Sequence, residues 1–115
     1  MEKRKAKRII EENKVKITPI YKNKLPSGEK IIYSLTKDIS SGGVKILANT
    51  FLPINTFLRI DLSLKNAPRL TITIGEVRWV KRPDAEELFE TGIEFMDMSP
   101  GSNNVLKKHI DEPAA

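Results

Sequence analysis

Two clusters in this chain have residue types and spacings suited to recognising an anion or a base. The first is Arg4-Lys5-Ala6-Lys7-Arg8, with two arginines four residues apart. That spacing puts both guanidiniums on one side, either one turn apart on a helix or on a shared face of an extended chain. A guanidinium is a planar fork that can grip a phosphate bidentately, pair with the O6/N7 edge of guanine, or stack on a base. The second cluster is Asp38-Ile39-Ser40-Ser41-Gly42-Gly43. An ionised carboxylate only accepts, so Asp38 can take both the N1–H and N2–H2 donors of a guanine. Ser40 adds a short hydroxyl, and Gly42 and Gly43 allow positive φ and a close backbone approach to a ligand. Each cluster also has a plain structural account. The first could be a solvated tail, and the second a bulged turn in which Asp38 and Ser40 cap backbone amides.

The charge distribution sharpens the first cluster. The 115 residues carry a net charge of +5. Residues 1–8 hold five basic groups against Glu2 alone, so the leader supplies +4 and the remainder is nearly neutral. A dense basic arm on a neutral body points to a localised anionic partner. Other chemistry is excluded by composition. With no cysteine there is no disulfide scaffold, thiolate metal site or cysteine nucleophile. A single histidine, His109, cannot build a multi-histidine metal site, so no metal and no cofactor are expected. No apolar run is long enough to span a membrane, and no apolar stretch follows the leader's charges as in a secretory signal. The expectation is a cytoplasmic protein with no membrane partner. Nothing pairs a nucleophile with a base, so it is not read as an enzyme.

The elements that must hold these clusters are strands. Leu58, Ile60, Leu62 and Leu64 alternate with Arg59, Asp61, Ser63 and Lys65, the period of a sheet with one wet face. Leu70, Ile72 and Ile74 repeat the pattern until Gly75, after which the apolar parity moves to Val77 and Trp79; a one-residue slip at glycine predicts a β-bulge. Phe89, Ile93 and Phe95 form another strand, preceded in the chain by Val15–Ile17, Ile31–Leu35 and Val44–Leu47. Pro26-Ser27-Gly28, Asn66-Ala67-Pro68 and Arg82-Pro83-Asp84 are the expected turns. Ser99-Pro100 reads as a helix start, and Val105, Leu106 and Ile110 give a short apolar stripe. His109 is expected near the helix end as a favourable cation, and residues 112–115 as a frayed end. The sum is an all-β fold: a six-stranded antiparallel (split) β-barrel with a short C-terminal helix. Residues 1–12 form a flexible basic arm on a single domain of residues 13–115.

Arg4-xxx-Arg8 before the first strand, Asp38-x-Ser40-x-x-Gly43 before the third, and the later strands Gly75-Glu76-Val77-Arg78-Trp79 and Thr91-Gly92-Ile93-Glu94-Phe95 occur in a telling order. The chain resembles the PilZ domain family, bacterial receptors for the second messenger cyclic di-GMP, from about Lys3 to Ile110. The resemblance implies a six-stranded barrel with a C-terminal helix. It implies that Arg4 and Arg8 bind guanines and phosphates, while Asp38, Ser40 and Gly43 bind a guanine from the loop. Basic residues fill the spacers of the arginine motif, and Lys3 precedes it. The motif stands almost at the N-terminus, so no upstream partner domain is expected.

On this reading the ligand bridges arm and loop, orders the arm and changes the surface shown to a downstream protein partner. Trp79 packs in the core or at the rim, or else forms a wall of the ligand site on which a base could stack. Two other readings compete. One is a small β-barrel nucleic-acid-binding protein, disfavoured because Phe89, Phe95 and Trp79 follow the apolar parity and leave few aromatics for stacking. The other is a PilZ-like adaptor that docks proteins without a ligand, disfavoured by the intact Arg4, Arg8, Asp38, Ser40 and Gly43.

Overall fold

The computed structural model describes residues 8–20, 31–64, 69–82 and 88–111. Their strands are β1 (Arg8–Ile10), β2 (Lys14–Pro19), β3 (Ile32–Ser40), β4 (Gly43–Ala48), β5 (Phe57–Ser63), β6 (Arg69–Lys81) and β7 (Phe89–Met98), followed by helix α1 (Pro100–Asp111). All pairings are antiparallel. The sheet runs β1-β3-β2-β5-β6-β7-β4, and β3 also pairs with β4, so β2 to β7 close a six-stranded barrel. The alternation in the sequence decides what lies inside: Leu58, Ile60 and Leu62 of β5 are fully buried, as are Ile17, Ile46 and Ile72 from three other strands. The slip expected at Gly75 is present, with the β6–β7 register shifting between Ile74 and Gly75.

Helix α1 closes the barrel. The Ser102 N–H donates to Ser99 Oγ at 3.1 Å, the expected N-cap with proline at the first helical position. Leu106 and Ile110 are buried and Val105 is partly so, and the helix packs against β3 and β6.

The expected arm enters the sheet at Arg8, because residues 8–10 are a strand. Arg8 pairs with Ser40, and Ile10 with Asp38, along the same edge of β3 that takes Lys14 opposite Leu35 farther on. β1 is thus the bulged continuation of β2. A polar joint fills the bulge. The Thr36 hydroxyl donates to the Glu11 carbonyl at 2.6 Å and accepts from the Asn13 N–H at 2.9 Å, while the Thr36 N–H donates to the Asn13 carbonyl at 2.9 Å. Thr36 and Asn13 are buried, so these bonds satisfy backbone groups that would otherwise be costly to bury. The expected turns at 26–28 and 66–68, Pro83-Asp84 of the third turn, the frayed end at 112–115, and residues 1–7 with Arg4 lie outside the described residues.

Candidate functional site

The second cluster is a strand end rather than a loop. Asp38, Ile39 and Ser40 are the last residues of β3, Ser41-Gly42 makes the turn, and Gly43 begins β4. Strand alternation points Ile39 into the core, where it is fully buried, and sends Asp38 and Ser40 to the outer side. β1 lies alongside and covers them. The Arg8 guanidinium pairs with Asp38 Oδ1, and its other terminal nitrogen lies 3.4 Å from Ser40 Oγ. From the opposite neighbour, Lys45 Nζ approaches Asp38 Oδ2 at 3.3 Å. The carboxylate sits between two cations, one from each flanking strand, and is largely covered.

Ser40 also stabilises the turn, accepting from the Gly42 N–H at 3.2 Å. Of the bulged-turn account, the serine half therefore holds, while Asp38 takes cations in place of backbone amides. The positive φ expected of the glycines is not used. Neither has φ in the left-handed region; a Cβ on Gly43 would lie 2.5 Å from the Ile93 carbonyl oxygen, and one on Gly42 would touch nothing. Gly43 is required because β4 passes close to β7.

Two site residues were not singled out in the sequence. Lys45 stands directly opposite Asp38. A two-residue turn at Ser41-Gly42 sets that register, so the hairpin reading of the motif was the available signal. Gly92 stands opposite Lys45, and Trp79 opposite Gly92. One row of neighbouring positions therefore crosses the barrel: Ile10, Asp38, Lys45, Gly92 and Trp79. Trp79 does not follow Val77 inward, because the register shifts between them, and its side chain is partly exposed. The indole lies against Gly92, in space that any Cβ there would occupy. Gly92→Ala is expected to lift the indole off the sheet without unfolding the barrel. Since Trp79 is the only tryptophan, a red shift of emission with an unchanged melting curve reads this directly.

His109 stands in the last turn of α1, as expected, and is buried there. Its Nε2 lies 2.7 Å from Glu11 Oε1, which also accepts from Asn13 Nδ2 at 2.9 Å. An ionised carboxylate only accepts, so Nε2 carries the proton in this contact. The contact ties α1 to the bulge that carries β1 and therefore Arg8. His109→Ala should cost about 1.5–3 kcal/mol, the range for a hydrogen bond to a charged group. It should also raise amide exchange at Ile9 and at Glu11, whose N–H donates to the Lys37 carbonyl at 3.1 Å, more than at Ile60. Uniform exchange across these three positions would remove the link between helix and leader.

The fold and site define a class: a small closed antiparallel barrel with a surface site of cations set around a carboxylate. The chain belongs to the PilZ domain family, whose model matches residues 2–112. Among solved structures, the Bacillus subtilis inhibitor of motility (MotI/DgrA) superposes with a TM-score of 0.75 at 16% identity, over 96% of this chain and 51% of that one. The PilZ domain of Escherichia coli YcgR with c-di-GMP gives 0.70 at 15% identity, over 96% and 90%. The MrkH–c-di-GMP complex of K. pneumonia gives 0.70 at 18%, over 94% and 50%. The chain thus spans about half the length of MotI and MrkH. A search of the curated proteins gave no match. Among the described residues, no helix is long and apolar enough to cross a membrane.

Proposed function

We propose that this domain is a cyclic di-GMP receptor, and not an enzyme, with Arg4, Arg8, Asp38, Ser40 and Gly43 as its binding residues. The observation that carries the reading is the pairing of Arg8 with Asp38 beside Ser40. It brings Arg8, the last residue of the arginine motif, beside the second motif on an adjacent strand, although 30 residues separate Arg8 from Asp38. Binding is then an exchange of partners. A guanine edge offering N1–H and N2–H2 takes the Asp38 carboxylate, and the Arg8 guanidinium turns to a phosphate or to the guanine O6/N7 edge. Lys45 stays beside the site as a second cation. Arg4, four residues earlier in the leader, supplies the second fork, and Trp79 offers a wall where the row of positions ends.

The leader holds little apolar surface, so fixing it over the sheet costs backbone entropy of roughly 1–2 kcal/mol per residue. Charge-assisted hydrogen bonds of about 1.5–3 kcal/mol each, with base stacking, offset that cost. The ordered leader then changes the surface available to a downstream protein partner, a population shift without catalysis. Isothermal titration with cyclic di-GMP tests the proposal, with GTP and a short single-stranded oligonucleotide as controls. Saturable heat with the cyclic dinucleotide alone supports it. Heat with the oligonucleotide alone, falling steeply with salt, would return the chain to the nucleic-acid reading.

A further inference from the structure

A second charged surface lies on the other half of β3 from Asp38, five residues or about 16 Å along the strand. Here a groove of about 400 Å³ is lined by side chains of β2, β3, β5 and β6, among them Lys14, Lys16, Tyr33, Asp61, Ser63 and Arg69. Val15 is buried between Lys14 and Lys16, so both ammoniums stand on the outer face, about 6.6 Å apart at the backbone. Lys16 is opposite Tyr33 on one side and Asp61 on the other; Lys14 is opposite Ser63, which is opposite Arg69. The single carboxylate is already engaged. Asp61 accepts from the Thr71 hydroxyl at 2.8 Å and lies 3.8 Å from Arg59 Nε. Among the described residues, Arg8, Lys37, Lys45, Arg59 and Arg78 all have ion-pair partners, whereas Lys14, Lys16 and Arg69 have none; Lys81, Lys107 and Lys108 are likewise unpaired but do not line the groove. Tyr33 is 73% exposed beside them.

We propose that this groove docks an extended acidic peptide segment of a partner protein, laid along β2. A peptide in β conformation repeats its side chains on one face every second residue, which is the Lys14–Lys16 spacing. Carboxylates two residues apart therefore meet both ammoniums, and a third reaches Arg69, while the Tyr33 ring covers an apolar side chain between them. Asp61 and Ser63 favour a peptide over a nucleic acid strand. Their remaining acceptor capacity suits the N–H groups of a peptide backbone, donors that a sugar-phosphate backbone does not have. The site is independent of the cyclic dinucleotide reading, since none of its residues belongs to that site.

An NMR titration of the full chain at low salt tests this, using a synthetic peptide of four Thr-Glu repeats. Its control is an isomer of equal charge with the glutamates in adjacent pairs. The alternating peptide should shift the amides of Lys14, Lys16, Tyr33 and Arg69. The Lys14→Glu/Lys16→Glu double variant should bind it at least tenfold more weakly, with an unchanged melting temperature and unchanged cyclic di-GMP binding. Arg69→Glu, on a separate strand, should weaken it several-fold, which covers the case of a poorly folding double variant. Equal affinity for the paired isomer, shifts confined to the leader, or tighter binding of an oligothymidylate of equal charge would each overturn the proposal.

Discussion

Arg8→Ala should weaken cyclic di-GMP binding at least tenfold while leaving the barrel folded. Tenfold is about 1.4 kcal/mol, the lower edge of what one charge-assisted hydrogen bond supplies. The Arg8 side chain is 49% exposed, and β1 is a three-residue strand at the barrel's outer edge, so its loss costs the fold little. Arg8→Lys separates charge from shape: it keeps the cation but not the planar fork, and should fall between wild type and alanine. Asp38→Ala should lose at least as much affinity, because nothing then accepts the guanine N1–H and N2–H2. It also leaves Arg8 and Lys45 facing each other without the carboxylate between them, so some stability is lost too. Asp38→Asn keeps the side-chain shape and one acceptor oxygen, and should retain part of the binding. In the double variant Arg8→Ala/Asp38→Ala the two losses should be more than additive, since each single variant is spared breaking the Arg8–Asp38 pair that wild type gives up on binding. Titration of wild type and Arg8→Ala to the same affinity would sink the exchange of partners.

Gly43→Ala should unfold the barrel well below the wild-type temperature, and Gly42→Ala should leave it unchanged. A Cβ on Gly43 lies 2.5 Å from the Ile93 carbonyl oxygen, which is backbone in the neighbouring strand and cannot step aside cheaply. Overpacking of this kind costs about 1–3 kcal/mol, or roughly 4–12 °C in Tm for a domain of this size. Gly42 faces open space and has no left-handed φ, so alanine there is expected within about 0.5 kcal/mol of wild type. Thermal unfolding of the two variants side by side decides the matter. Equal melting temperatures would mean that β4 does not approach β7 as closely as described. Gly43→Ala should also lower ligand affinity, since Gly43 is one of the proposed binding residues; Gly42→Ala should bind normally.

Much of this molecule is written locally. The alternation of Leu58, Ile60 and Leu62 against Arg59, Asp61 and Ser63 assigns β5 and its buried face, because strand side chains alternate whatever the partner. The slip at Gly75, the cap at Ser99 and the stripe of Leu106 and Ile110 are local in the same sense. So are the two motifs, whose residue types and spacing name a chemistry before any fold is known. What tertiary structure alone decided is who faces whom. β1 is only three residues, with Ile9 and Ile10 adjacent and no alternation to read, so nothing local marks it as the strand that lays Arg8 on Asp38. His109 and Glu11 are 98 residues apart and meet only because the helix closes the barrel beside the bulge. Trp79 keeps the apolar parity of Val77 in sequence, yet a register shift between them turns the indole onto Gly92. Periodicity is a property of a segment; register and closure belong to pairs of segments, and only packing the barrel selects among them.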